Sequence, residues 1–307
     1  MSGPRPSVIA LFGPTGVGKT GVAVELAERL RELGERPVAV SADALQVYRG
    51  LETLTGVADA SQRRRLEHRL ISFLPVDATF SVGEYARLAH AQIDALLAEG
   101  MLPIVVGGTG LYLRAALTEL SLRPPPPDGV RERWLSELSR RGPEALHAVL
   151  ARRAPWAAAG LAPTDGRRIV RSLELLDAGE LEPPPERSQL WTADTRHPTL
   201  LVGLVIERAQ LHARIEARIE RMLAQGAQAE VRAARAAGAS ATARAALGFE
   251  ELLAGDIEAM KRRTRNYARR QLTWMRKLAG VRVIDRTGLD DAQVAALALG
   301  LWLRADG

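Results

Sequence analysis

The segment Val8-Ile9-Ala10-Leu11-Phe12-Gly13-Pro14-Thr15-Gly16-Val17-Gly18-Lys19-Thr20 constrains this chain more than any other stretch. Five apolar residues running into a glycine read as a short buried strand. The next eight meet the spacing G-x-x-x-x-G-K-T through Gly13, Gly18, Lys19 and Thr20. From Gly18 to Leu33 apolar residues recur at Val22, Val24, Leu26, Ala27 and Leu30, and Gly34 closes the stretch as a helix stop. Strand, glycine-rich loop and helix in that order make a phosphate cradle, the P-loop. Glycines let backbone N–H groups close around phosphate oxygens, the helix start adds a positive dipole, and Lys19 adds a full charge. Residues 13–20 are therefore the expected diphosphate or nucleotide site, ATP included, with the Thr20 hydroxyl placed to ligate Mg²⁺. The bland alternative, a chance glycine turn, does not explain the flanking strand and helix.

The pattern then repeats. Pro37 to Val40 reads as a second strand ending at Ser41-Ala42-Asp43, and Phe80 to Glu99 as a helix capped by Gly100. Pro103 to Val106 is a third strand, ending at Gly107-Gly108-Thr109. Alternating strands and helices predict an α/β fold, a P-loop NTPase-like parallel sheet flanked by helices, with ligands beyond the carboxyl ends of the strands. Lys19, Asp43 and Thr109 each follow a strand end and should converge on one crevice. Proline clusters at Pro124 to Pro127 and Pro183 to Pro185 bracket helical stretches at Val130 to Arg141, Pro143 to Arg153 and Asp165 to Ala178. This predicts an all-helical insertion domain over 123–198, between core segments 1–122 and 199–307. Strand character returns at Thr199 to Ile206. Long helices are expected from Arg208 to Ala237 and from Ala245 to Ala279, with a last strand at Val281 to Ile284.

Composition narrows the setting. A hydrophobic content of 47% allows a real core. The absence of cysteine excludes disulfides, thiolate metal sites and a cysteine nucleophile, and fits a reducing cytoplasm. The apolar run Val8 to Phe12 is too short for a signal-peptide core, and nothing approaches the roughly 18 apolar residues of a membrane span. A cytoplasmic protein with no membrane partner is expected. The net charge is +6, and Lys19, Lys261 and Lys277 are the only lysines. With arginine the default cation, a lysine at position 19 points to a need for a compact point charge there.

The loop alone would suggest an ATPase or a kinase. Such enzymes hold Mg²⁺ with an aspartate at the end of an apolar strand, yet Ile104-Val105-Val106 runs into Gly-Gly-Thr. Asp43 is the only acidic group after an early strand. That combination favours phosphates that depart as a leaving group over a hydrolysed γ-phosphate. Asp43 itself could serve as a general base or a water-mediated metal contact, or simply cap a following helix. Between Asp256 and Gly280 stand eight basic residues against Asp256 and Glu258. Arg262, Arg265, Arg269 and Arg276 fall near one helical face, with Tyr267 and Trp274 turned elsewhere. Such density is the footprint of a nucleic-acid partner, or else a solvated face in an arginine-biased chain. Arg167, Arg168 and Arg171 form a smaller patch. Arg214, Arg218 and Arg221 share a face of another helix and could reach the crevice or pair with Glu216 and Glu220. The five histidines show no metal-ligand spacing.

Seven segments together resemble a known family. They are GPTGVGKT at 13–20, ADALQVYRG at 42–50, VGGTGLYL at 106–113, DGRRIVRSLE at 165–174, LHARIEARIERML at 211–223, ALGFEEL at 246–252 and RRQLTWMRK at 269–277. In order and extent the chain is similar to the tRNA dimethylallyltransferases. The resemblance implies transfer of a dimethylallyl group from dimethylallyl diphosphate to the exocyclic amine of the adenine 3′ of a tRNA anticodon. It implies Asp43 as the base, with Thr109 near the bridging oxygen and the target base. Lys19, Mg²⁺ at Thr20 and Arg218 would neutralise the diphosphate. Asp43, Ala44, Leu45, Gln46, Thr109, Arg269, Arg270, Gln271, Trp274 and Arg276 would hold the anticodon stem-loop, joined from the insertion by Arg131, Arg168 and Arg171. A monomer is expected.

There are departures from the family pattern. A glycine-threonine-alanine-lysine-proline stretch is replaced by Leu51 to Ala58, which has no lysine. A usual histidine pair is reduced to His68-Arg69, and a usual tyrosine is Phe249. Two other readings stand beside the transferase: a P-loop kinase of a small metabolite or nucleotide, and a nucleotide-gated RNA binder without catalysis.

Overall fold

All five residues of the first strand are buried, as a near-continuous apolar run between parallel neighbours requires. The computed structural model describes residues 5–123, 129–183 and 189–306. Among them six strands form one parallel sheet: β1 (Val8–Phe12), β2 (Pro37–Ser41), β3 (His68–Arg69), β4 (Leu102–Gly107), β5 (Thr199–Val205) and β6 (Arg282–Asp285). Their order is β3-β2-β4-β1-β5-β6. Leu11 lies opposite Val106 on β4 and Val202 on β5. Because β2, β4 and β1 are adjacent, the P-loop, Asp43 and Gly107-Gly108-Thr109 emerge side by side at one edge of the sheet. The three strand ends expected to converge are therefore neighbours.

Between the first strands run α1 (Lys19–Glu32), α2 (Glu52–Thr55), α3 (Ala60–Arg65), α4 (Val82–Ala98) and α5 (Gly110–Leu117). The insertion holds α6 (Val130–Arg141), α7 (Pro143–Arg153), α8 (Pro155–Ala159) and α9 (Gly166–Asp177). The chain continues through α10 (Arg208–Ala224), α11 (Ala227–Ala236), α12 (Phe249–Ala254), α13 (Ile257–Met275) and α14 (Asp291–Leu303). The two long helices expected after β5 are each broken, at Gly226 and at Gly255, whose φ angles of 89° and 73° are left-handed and end a helix. The strand β3 and the helices α2, α3, α5, α8 and α14 were not anticipated. Helix α14 is apolar on nearly every face, which blurs its period; it packs on α1 through Val294, Ala295, Ala298 and Trp302.

The chain divides into two compact units, 1–120 with 190–307, and 121–189. The smaller unit runs from 121 to 189, against the 123–198 expected from the sequence. Residues 190–198 belong to the core by their contacts: Arg196 pairs with Asp94 at 2.9 Å, and buried Arg114 donates to the Asp194 carbonyl at 3.2 Å. Apart from Pro183, the proline clusters lie outside the described residues. The insertion has its own core around Trp134, Leu146, Leu150, Ile169 and Leu173.

Candidate active site

The loop after β1 takes its shape from glycine. Gly16 and Gly18 have φ of 85° and 94°, a region that side chains with a Cβ seldom adopt. A Cβ on Gly13 would stand 2.8 Å from the Leu204 carbonyl oxygen, and one on Gly16 would stand 2.9 Å from Ile215 of α10. The loop is thus pressed between β5 and α10. Lys19 Nζ donates to the carbonyls of Gly13 at 2.9 Å and Pro14 at 3.1 Å, folding the charge over the cradle. Burial, and then the nearby Arg218 charge, lower the Lys19 pKa to about 8, while Asp43 pulls the other way.

The facing wall is the Gly107-Gly108-Thr109-Gly110 turn. A Cβ on Gly107 would collide with Ala42, one on Gly108 with the Gln271 amide, and one on Gly110 with the Trp274 ring. Glycines here let β2 and α13 close on the loop. Gln271 is a clip: its Nε2 donates to the Gly108 carbonyl at 2.7 Å, and its Oε1 accepts from the Thr15 N–H at 2.8 Å. It is only 5% exposed. Gln271, expected at the RNA surface, instead ties the phosphate loop to the glycine turn. Thr109 Oγ1 lies 3.0 Å from the Tyr267 hydroxyl. Burial, and then Asp43, push the Tyr267 pKa up to about 12, so the phenol stays protonated. Thr109, Tyr267, Arg270 and Trp274 line a cleft of about 170 Å³.

Asp43 is half-buried, and its Oδ1 accepts from the Leu45 N–H at 3.0 Å. No helix follows it: residues 44–47 form a bend and a turn, so the helix-cap reading of Asp43 fails. Gln46 is engaged internally. Its Oε1 accepts from Ser41 at 2.9 Å and its Nε2 donates to the Gly56 carbonyl at 3.2 Å. Arg218 reaches the same turn, donating to the Thr55 carbonyl at 3.2 Å, and a Cβ on Gly56 would collide with its guanidinium. Burial lowers the Arg218 pKa, with Asp43 opposing. Glu230 of α11 supports the turn by accepting from the N–H groups of Thr53 and Leu54 at 2.9 and 3.0 Å, at the start of α2. The stretch that lacks the family's lysine is thus the floor on which Arg218 rests.

Helix α13 buries Met260, Thr264, Ala268, Gln271 and Met275. That stripe leaves Arg262, Arg269 and Arg276 exposed and without an ion pair among the described residues, along with Arg270. Arg265, expected on their face, pairs with Glu216 of α10 at 3.0 Å, and Arg263 pairs with Glu251 at 2.7 Å. Trp274 meets Trp191 at 4.7 Å between ring centroids, and Lys277 lies over Trp191 at 5.4 Å. In the insertion, Arg131 and Arg171 both bind Glu174, at 2.9 and 3.1 Å; the Glu174 side chain is wholly buried. The two are thereby held by an internal acid, whereas the Arg168 side chain is 74% exposed and lies 3.6 Å from the more open Asp165.

Tyr267, Glu230 and Trp191 are site residues that the sequence did not single out. Only Tyr267 carried a signal, seven residues before Trp274 and so two helical turns away on the same side of α13. Among the described residues no three His, Cys, Asp or Glu side chains gather as a metal site. Mg²⁺ needs only one or two protein oxygens when phosphates complete its shell, so the Thr20 hydroxyl expected to hold it does not require such a cluster. No helix among the described residues is long and apolar enough to cross a membrane.

A P-loop facing a carboxylate, an arginine and a threonine at the edge of a parallel sheet defines a phosphate-handling α/β protein of the P-loop NTPase-like class. Residues 46–278 match the family model described as IPP transferase, and the chain belongs to that family. It is 41% identical to a tRNA dimethylallyltransferase of Streptomyces coelicolor, over 97% of this chain and 96% of that one. The crystal structure of a tRNA isopentenylpyrophosphate transferase of Bacillus halodurans superposes with a TM-score of 0.68 at 30% identity, covering 97% of both chains. A eukaryotic dimethylallyltransferase acting on tRNA shares the fold, with a TM-score of 0.73 at 23% identity over 97% of this chain and 79% of the other.

Proposed function

We propose that this chain is a tRNA dimethylallyltransferase. It transfers the dimethylallyl group of dimethylallyl diphosphate to the N6 amine of the adenine 3′-adjacent to the anticodon. The observation that carries the reading is the crevice itself: Lys19 folds over the phosphate loop, Arg218 reaches the Thr55 carbonyl, and the Asp43 charge acts on both. The N6 lone pair is delocalised into the adenine ring, so attack needs a base. As N6 bonds to C1 of the prenyl group, the C1–O bond breaks, diphosphate leaves, and the amine proton passes to Asp43. Lys19, Arg218 and the loop N–H groups stabilise the departing charge. The Thr20 hydroxyl would hold Mg²⁺, which would supply further neutralisation of the diphosphate when bound. Thr109, oriented by Tyr267, donates toward the bridging oxygen. The exposed arginines of α13 and Arg168 grip the anticodon stem-loop of a monomeric enzyme in the cytoplasm, and the adenine leaves its stack to enter the cleft.

A kinase reading leaves the basic face of α13 and the missing metal-holding acid unexplained; a non-catalytic RNA binder leaves Asp43 and Arg218 unexplained. Purified protein with labelled dimethylallyl diphosphate, Mg²⁺ and unmodified tRNA separates the three. Label should enter tRNA. Phosphate moving from ATP to a small acceptor would establish the kinase, and RNA binding without turnover the binder. Asp43→Ala should lower single-turnover transfer by about a thousandfold with tRNA affinity within about twofold. A variant keeping more than about a tenth of the rate removes Asp43 as the base.

A further inference from the structure

Behind the phosphate loop, on the side away from Asp43, lies a charged pair that the reaction above does not use. Arg286, just after β6, is 1% exposed. Its Nη1 donates to the Val17 carbonyl at 2.6 Å and meets Asp291 at 2.9 Å, while its Nη2 donates to the Leu289 carbonyl at 3.1 Å. Its Nε is buried with no hydrogen-bond partner among the described residues. A buried guanidinium that is incompletely satisfied adds little to stability, since desolvation offsets most of the Coulomb gain. Its position asks for another explanation.

Two glycines make room for it. A Cβ on Gly18 would collide with the Arg286 guanidinium, and one on Gly21 would collide with the Asp291 carboxylate. Gly21 lies inside α1, where glycine costs about 1 kcal/mol relative to alanine. The helix gives up that propensity at a place where the pair needs the space.

Peptide geometry connects the pair to anion binding. In a trans peptide the C=O of one residue and the N–H of the next point in opposite directions. Holding the Val17 carbonyl toward Arg286 turns the Gly18 N–H toward the mouth of the loop. Released, the Val17–Gly18 peptide could rotate, because Gly18 tolerates many φ values. Rotation would aim a carbonyl oxygen at the phosphates. We infer that Arg286 is a positioning residue that locks the Val17–Gly18 peptide in its anion-binding orientation, with Asp291 fixing the guanidinium in place. The inference rests on the loop binding the diphosphate of the donor.

Calorimetric titration of the full chain with inorganic pyrophosphate and Mg²⁺, at a temperature where each variant is folded, tests this lock. Arg286→Met should weaken pyrophosphate about tenfold, the loss of one charge-assisted contact. Arg286→Lys, which keeps the charge but not the fork, should weaken it about threefold. Gly21→Ala should also weaken it by displacing Asp291, although alanine favours the helix. Affinity for an anticodon stem-loop RNA should stay unchanged in all three. A merely structural pair would lower the melting temperature and leave pyrophosphate affinity intact, and that result in Arg286→Lys and Gly21→Ala overturns the lock even if Arg286→Met fails to fold. Wild-type protein with no affinity for pyrophosphate would overturn the diphosphate reading of the loop, and the lock with it.

Discussion

Helices α10 and α13 both carry arginines at helical spacing, and the fold treats them in opposite ways. On α10, Ile215 packs against Gly16 of the phosphate loop. Arg218, one turn later, is therefore driven into the crevice, where it donates to the Thr55 carbonyl beside Asp43. On α13, the buried stripe from Met260 to Met275 faces the core. Arg262, Arg269 and Arg276 recur every seventh residue, a spacing that returns to the same side of a helix, and all three are exposed. One residue type thus serves two physical roles. A half-buried, partly desolvated guanidinium acts on a single charge at short range; a row of solvated ones acts on a polyanion through counterion release.

The largest effect that would break this contrast is expected at α10. Arg218→Gln should lower single-turnover transfer by about a hundredfold, the scale of losing one preorganised charge from a transition state. Its affinity for RNA should stay within about twofold. A variant weakened in RNA binding instead would place Arg218 with the surface arginines.

How far this was legible in the sequence follows from the range of the forces involved. The P-loop, the three strand ends and the insertion helices are local patterns, and their convergence follows from a parallel sheet. The direction of Arg218 is not local: a helix with Arg214, Arg218 and Arg221 beside Glu216 and Glu220 reads equally as surface pairs until the helix is set against Gly16. Gln271 and Gln46 were assigned to RNA from their neighbours in sequence, but each spends both ends of its amide on the protein. Nor does anything local say that Glu174 is buried and pairs with both Arg131 and Arg171. Breaks at Gly226 and Gly255 were readable as glycines but not as helix ends, since helix-forming sequence continues on both sides of each.

Next in size is the exposed row. Replacing Arg262, Arg269 and Arg276 together by glutamine should weaken anticodon stem-loop binding by about thirtyfold at low salt. The slope of log K against log salt should become less steep by about two to three. Pyrophosphate affinity should not move. An unchanged salt slope would show that α13 is a solvated face with no RNA on it.

The buried side of the comparison also has a pH signature of about tenfold per unit. Lys19 is held near pKa 8 by burial and by the charge of Arg218. Its ammonium form, the one that attracts diphosphate, is present below that pH and lost above it. The kcat/KM for dimethylallyl diphosphate, which reports the free enzyme, should therefore fall as pH rises past about 8, approaching tenfold per pH unit. Lys19→Arg should remove that limb while lowering the plateau. A profile flat to pH 10 would mean that the lysine charge is not what the donor meets.

The smallest effect tests where the two helices touch. Arg265 of α13 pairs with Glu216 of α10 and is one-quarter exposed, whereas Arg269 has no such partner among the described residues. Partly solvated pairs of this kind contribute about 1 kcal/mol or less, so neither single replacement should disturb the fold. Arg269→Gln should reduce the salt slope of RNA binding by about one and the affinity by a few fold. Arg265→Gln should leave the slope unchanged, because its charge is already neutralised by Glu216 before any RNA arrives. If Arg265→Gln lowers the slope as much as Arg269→Gln, the Glu216 pair opens on binding, and the division between an inward-facing and an outward-facing set of arginines is drawn by the RNA and not by the fold.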